Sequence, residues 1–232
     1  MSHLNTLNAF HQISLYLAKY EITVEYHTNF DEFEQIAKEV RGKKSSGQFR
    51  KKFFDFTEDN SMWVMFLCKG EPVAVQAGRY DRLGPDRTLV KHWEDQQKRI
   101  YPKPNRLGDN HAAHAQLMSG NIIFSGEFSL REDLRGKEIA GLMIYQGMLS
   151  HFTKWNQADW IYSFMNEERC KRGFAVRMGF NHMEPQGTHW LKEPKGIANN
   201  DWFLASSRRA FVRAAGLIGV RGVEVLLPQQ RD

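Results

Sequence analysis

The chain has 232 residues, 41% hydrophobic and 25% charged, with a formal net charge of +5 and two cysteines. That length gives one sizeable core and at most two small domains. It contains no run of about 18 apolar residues that would span a membrane, and Cys68 and Cys170 belong to no CxxC or Cys/His pattern that would imply a disulfide or zinc framework. The positive balance suits an anionic ligand but is too small to indicate nucleic-acid binding.

In "MSHLNTLNAFHQISLYLAKY", Leu4, Leu7, Phe10, Ile13, Leu17 and Tyr20 recur at helical spacing. This segment lacks a basic n-region and a continuous apolar h-region, so it reads as an amphipathic helix over 3–20 and not a secretory leader. A reducing cytoplasm is the expected setting. "EITVEYH" alternates apolar and polar residues as a half-buried strand does. "NFDEFEQIAKEVRG" carries Asn29 as an N-cap, Glu32 three residues on, and Gly42 at the end of a predicted helix. "QFRKKFFDF" reads as a second helix. "MWVMFLCKGEPVAVQAGRYDRL" reads as a hairpin about Lys69-Gly70-Glu71.

Residues 84–118 hold three prolines and several polar runs. They form a long excursion, with a helix predicted near 88–99, of the kind that often borders a binding site. "NIIFSGEFSL" is the next strand. It runs through "REDLRGKEIAGLM" into a helix with Ile139, Leu142, Met143, Leu149 and Phe152 on one side. "ADWIYSFMN" is a short continuous apolar run, the signature of a strand buried on both faces. "EERCKRGFAVRM" is helical in pattern, "DWFLASS" is strand-like, and a basic C-terminal extension occupies 206–232. Alternation of strands and helices in the second half predicts an α/β (α+β) fold with a mixed, partly parallel twisted sheet flanked by helices. No linker divides the chain, so a single domain over 1–232 is expected.

A strand turning into a helix through Arg135-Gly136 is a natural anion site. Helix N-termini present unpaired N–H groups and partial positive charge, and glycine lets the backbone approach closely. Glu127 is the carboxylate inside the preceding strand, placed to act as a base at a cleft. Asn166 ends the buried strand and suits either a ligand contact or a helix N-cap. His111 and His114 lack a third ligand, so they read as polar loop residues and no metal site is expected. Arg208, Arg209 and Arg213 read as a solvated helix face.

Three segments in order, "FSLREDLRGKEIAGLM", "WIYSFMN" and "GFAVRMGF", resemble the GNAT superfamily of acyl-CoA N-acyltransferases. The resemblance spans roughly residues 21–205 and is best between 122 and 181. It implies a GNAT-like fold and transfer of an acyl group, above all acetyl, from acyl-CoA to a small-molecule or peptide amine by direct attack in a ternary complex. It further implies that Phe128, Ser129 and Leu130 lie along the thioester arm, that Arg135, Gly136, Lys137, Glu138, Ile139 and Ala140 surround the pyrophosphate, and that Asn166 contacts the cofactor. Glu127 is the expected base.

Two positions depart from the family pattern. Glu138 replaces its second Gly/Ala, and Ala175 stands where a tyrosine often protonates the leaving thiolate. These departures motivate a second reading, a catalytically degenerate GNAT-like ligand-binding or interaction module. The basic C-terminal segment motivates a third, in which acyl carrier protein or aminoacyl-tRNA supplies the acyl group and an acidic carrier protein docks there.

Overall fold

The computed structural model describes residues 3–42, 44–101, 106–136, 139–195, 197 and 199–227. In chain order the elements are α1 (His3–Ala18), β1 (Ile22–His27), α2 (Phe30–Arg41), β2 (Ser61–Cys68), β3 (Glu71–Arg82), α3 (Leu89–Ile100), β4 (Arg106–Leu107), α4 (Ala113–Leu117) and β5 (Asn121–Leu130). There follow α5 (Ile139–Lys154), β6 (Trp160–Asn166), α6 (Glu167–Lys171), α7 (Phe174–Arg177), β7 (His182–Glu184), β8 (Trp190–Lys192), β9 (Asp201–Ser207) and α8 (Arg208–Arg221). Seven strands form one sheet in the order β1-β2-β3-β5-β6-β9-β7, and β4 pairs with β8 in a separate ribbon. Among the described residues only β5 and β6 run parallel; the other pairs are antiparallel. The mixed, partly parallel sheet expected from the sequence is therefore present.

Successive strand side chains point to opposite faces, and both faces of this sheet are covered. On one side α1, α5 and α8 enclose a core that includes Ile13, Val64, Ile123, Leu142, Ile161 and Phe211. On the other, α2, α3 and α4 enclose Phe33, Trp63, Phe124, Trp93, Tyr162 and Phe203. Covering both faces explains why the central strands read as nearly continuous apolar runs. The C-terminal segment is part of this architecture. Ser206 and Ser207 finish β9, and α8 buries Phe211, Ala215 and Ile218 against the same core as α1.

Local chemistry accounts for the element ends. Asn29 caps α2 by accepting from Asp31 N, and Gly42 closes the helix in the left-handed region. The β2–β3 hairpin turns at Lys69 and Gly70, both with positive φ as a two-residue turn requires.

Two helical expectations need correction. "QFRKKFFDF" is not an α-helix: a short 3-10 turn over Gly47–Phe49 leads into a non-helical segment. Its aromatics are drawn into one cluster with Phe30 and Phe124 of other elements. Phe49 enters the core, Phe56 stacks on Phe30 at 4.1 Å, and Phe54 lies 4.1 Å under the Arg79 guanidinium. "EERCKRGFAVRM" is two short helices, α6 and α7, separated where Gly173 takes a φ of +73°.

Candidate functional site

The β5–β6 pairing is short. Ile122, Ile123 and Phe124 pair with Trp160, Ile161 and Tyr162, and the register then stops. Each strand continues with its other neighbour: β5 with β3 as far as Leu130, and β6 with β9 as far as Asn166. Past Phe124 and Tyr162 the two strands therefore diverge, and the backbone groups that face across the gap have no partner strand among the described residues. A cleft of about 520 Å³ fills the gap. It runs through the sheet, from Ile144 and Met148 of α5 on one face to Arg41 of α2 and Tyr101 after α3 on the other.

A bulge in β5 shapes one wall. Ala77 pairs with Gly126 and Val75 with Ser129, so Glu127 and Phe128 together stand opposite Gln76. Glu127 has a φ of +56°. A non-glycine residue there carries about 1–3 kcal/mol of backbone strain, the kind found at ligand clamps and active sites. The bulge brings Glu127 into the cleft lining, where Arg41 Nη1 donates a hydrogen bond to Glu127 Oε2. The Glu127 side chain is 8% exposed and that of Arg41 28%.

Tyr101 lines the same corner, edge to face with Trp190 at 5.3 Å. Burial, helped by the Glu127 charge, pushes its phenol up to about 12, so it stays protonated near neutral pH. Across the cleft, Asp201 of β9 lies beside Asn166, and burial raises its carboxyl above the usual range. Burial, then the Asp201 charge, pushes the Cys170 thiol up to about 11, far from thiolate reactivity at neutral pH.

The cleft unites three residues expected from the sequence, Glu127, Phe128 and Asn166. Asn166 also caps α6, its Oδ1 accepting from Arg169 N at 3.1 Å. The other candidates follow the strand–turn–helix run outside the cleft lining. Ser129 is buried and pairs with Val75; Leu130 is a core residue whose carbonyl accepts from Arg135 Nε at 3.3 Å. The Arg135 side chain is largely exposed. Gly136 takes a φ of +84°, which only glycine adopts freely, so the chain can turn there into α5. Ile139 is fully buried and Ala140 packs on the same core. Lys137 and Glu138 lie outside the described residues.

Arg41, Tyr101 and Asp201 escaped the sequence reading because they come from three distant elements with no shared motif. The excursion over 84–118 was the one pointer, and it supplies Tyr101. Ala175, at the family's tyrosine position, is fully buried, so no proton donor comes from there.

No protein-family model matches the chain, and no curated protein sequence matches it. Solved structures do. Apo agmatine N-acetyltransferase aligns over 80% of this chain and 99% of its own, at TM-score 0.51 and 9% identity. The N-acyl amino acid synthase FeeM, from uncultured soil microbes, aligns over 86% and 97%, at 0.48 and 10%. An aminoglycoside acetyltransferase in complex with coenzyme A and kanamycin aligns over 83% and 98%, at 0.46 and 9%. With one parallel pair among the described residues, opening into a cleft above α5, the chain has a GNAT-like fold, shared with agmatine N-acetyltransferase.

Proposed function

We propose that the protein is an acyl-CoA-dependent N-acyltransferase. The observation that carries this reading is the divergence of β5 and β6 after Phe124 and Tyr162, which opens a cleft through the sheet beside a strained carboxylate. An amide-bearing thread such as pantetheine fits such a gap because unpaired strand groups supply its hydrogen bonds. In this reading the thioester arm runs past Phe128, Ser129 and Leu130, and Asn166 faces it from β6. The pyrophosphate sits at the turn into α5, bound by backbone N–H groups from Arg135 to Ala140, Lys137 and Glu138 included.

The amine enters from the Arg41–Tyr101 side and attacks the thioester carbonyl directly. The C–N bond forms as the C–S bond breaks. Glu127 takes the proton that frees the nitrogen lone pair, and a second proton from nitrogen reaches the departing thiolate. Tyr101, protonated and in the cleft, is its hydrogen-bond donor in place of the side chain missing at Ala175. Holding both substrates in one cleft supplies much of the rate gain.

A thermal-shift titration tests the donor. Acetyl-CoA or a longer acyl-CoA is expected to raise Tm in a saturable way. Failure of acyl-CoAs and free CoA alike to shift it would contradict the proposal.

A further inference from the structure

The charged lining of the cleft consists, among the described residues, of Arg41, Glu127, Arg169 and Asp201: two cations and two anions in a chain of net charge +5. A polyamine or other polycation calls for an acidic cleft, and this one is neutral. The pair at the acceptor-side mouth is specific in form. Arg41 reaches from the last turn of α2 to Glu127 on the bulge of β5. Both residues line the cleft, and the Arg41 side chain is the more exposed of the two. One Nη1 donor is spent on Glu127, and a guanidinium has five, arranged in a fork that matches a carboxylate.

We infer that the acceptor is a zwitterionic α-amino acid, its carboxylate held by Arg41 and its amine presented to Glu127. The inference rests on the acyltransferase reading and names the substrate class of the same site. A zwitterion replaces one ion pair by two and leaves no charge unmatched in the cleft. A simple cationic amine would face Arg41 with nothing to offset it. Tyr101 and Trp190, with Phe124 and Phe164 nearby, give the acceptor side chain an aromatic wall, so an apolar amino acid fits best. The step balances: ammonium and thioester give amide, thiol and one proton. Glu127 takes the first proton from nitrogen and passes it to solvent. The second, lost as the C–N bond forms, goes to the thiolate sulfur.

The test compares phenylalanine, phenylalaninamide and spermidine as acceptors with a saturating acyl-CoA that shifts Tm. Phenylalanine is expected to exceed its amide in kcat/KM by about tenfold to a hundredfold, the range for a hydrogen bond to a charged group. Arg41→Ala should bring that ratio close to one. Arg41→Lys should leave it intermediate, because the charge remains and the fork does not. Equal or better use of the amide or of spermidine by the unaltered protein would overturn the carboxylate role of Arg41 while leaving acyl transfer intact. Acyl-CoA binding without acylation of phenylalanine, leucine or methionine would overturn the acceptor class. Absence of any acyl-CoA binding would remove both readings. Calorimetric titration of phenylalanine into the protein with CoA present gives a second readout independent of turnover, and heat of binding that survives Arg41→Ala unchanged counts against the inference.

Discussion

Strand β5 pairs with β3 at eight positions between Asn121 and Leu130, and with β6 at three. The first seam is backed by α5 and buried along its middle, from Ile122 to Ser125 of β5 and from Val73 to Tyr80 of β3. Gly78 of β3 lies against the His151 ring, and neither nitrogen of that ring has a hydrogen-bond partner among the described residues. The second seam opens, and its polar groups are left for something other than a neighbouring strand. One strand thus serves a rigid half, where side-chain volume decides stability, and an open half, where charge and backbone geometry decide binding. The Glu127 bulge is the point of change, because there β5 twists out of register with β3 and turns a carboxylate toward the gap.

That contrast makes substitutions separable. On the open side Glu127→Gln should lower kcat by about 10²–10⁴-fold, the usual worth of a positioned base, with the acyl-CoA-induced Tm shift retained. A loss of folding instead would place Glu127 with the rigid half. On the closed side the corresponding probe is pH. Burial, then the Lys154 charge, hold the His151 imidazole down at about 3, whereas an unfolded histidine titrates near 6.5. Below 6.5 the unfolded chain takes up a proton that the native protein refuses. Stability is therefore full above pH 6.5 and falls progressively toward pH 3.

Unfolding free energies from urea titrations at pH 7 and pH 4.5 should differ by roughly 3 kcal/mol, on the order expected for two pH units. His151→Leu should remove most of that difference. Asp81 acts in a lower window. Burial alone would raise its carboxyl, but Arg79 and His92 overcome this and hold it at about 2, so its contribution is lost only as pH falls below 3.8.

Gly78→Ala adds a methyl that overlaps the His151 ring, and should cost about 1–3 kcal/mol in chemical denaturation. Asn166→Ala, at the open edge, removes the cap of α6 and should cost only about 1 kcal/mol. If the Asn166 change weakens acyl-CoA binding by more than its stability cost implies, the residue has a ligand role beyond the cap.

Much of the fold was legible because strand and helix periods are written locally. The strands at 121–130, 160–166 and 201–207 follow from apolar runs bounded by polar residues, and α2 from Asn29 and Gly42. The failure at Gly47–Phe56 has a tertiary cause: Phe49, Phe54 and Phe56 pack into a cluster with Phe30, Arg79 and Phe124 of other elements, and no local pattern records that. The site divides the same way. Glu127 was visible as a carboxylate in an apolar strand, but its bulge was not, since a bulge depends on the register with Gln76. Arg41 looked like an ordinary basic residue in the last turn of a helix. Its meaning comes only from the residue it meets, 86 positions away.

Amide hydrogen exchange across β5, with and without acetyl-CoA or a longer acyl-CoA, tests the central claim most directly. Fast exchange is expected in the free protein only at the amides of 125–128 and 163–166 that face the gap and bond to neither β3 nor β9, with marked protection of those amides when acyl-CoA is present and little change over the β3 residues 77–82. Exchange at those gap-facing amides that is already slow and insensitive to every acyl-CoA would contradict the claim.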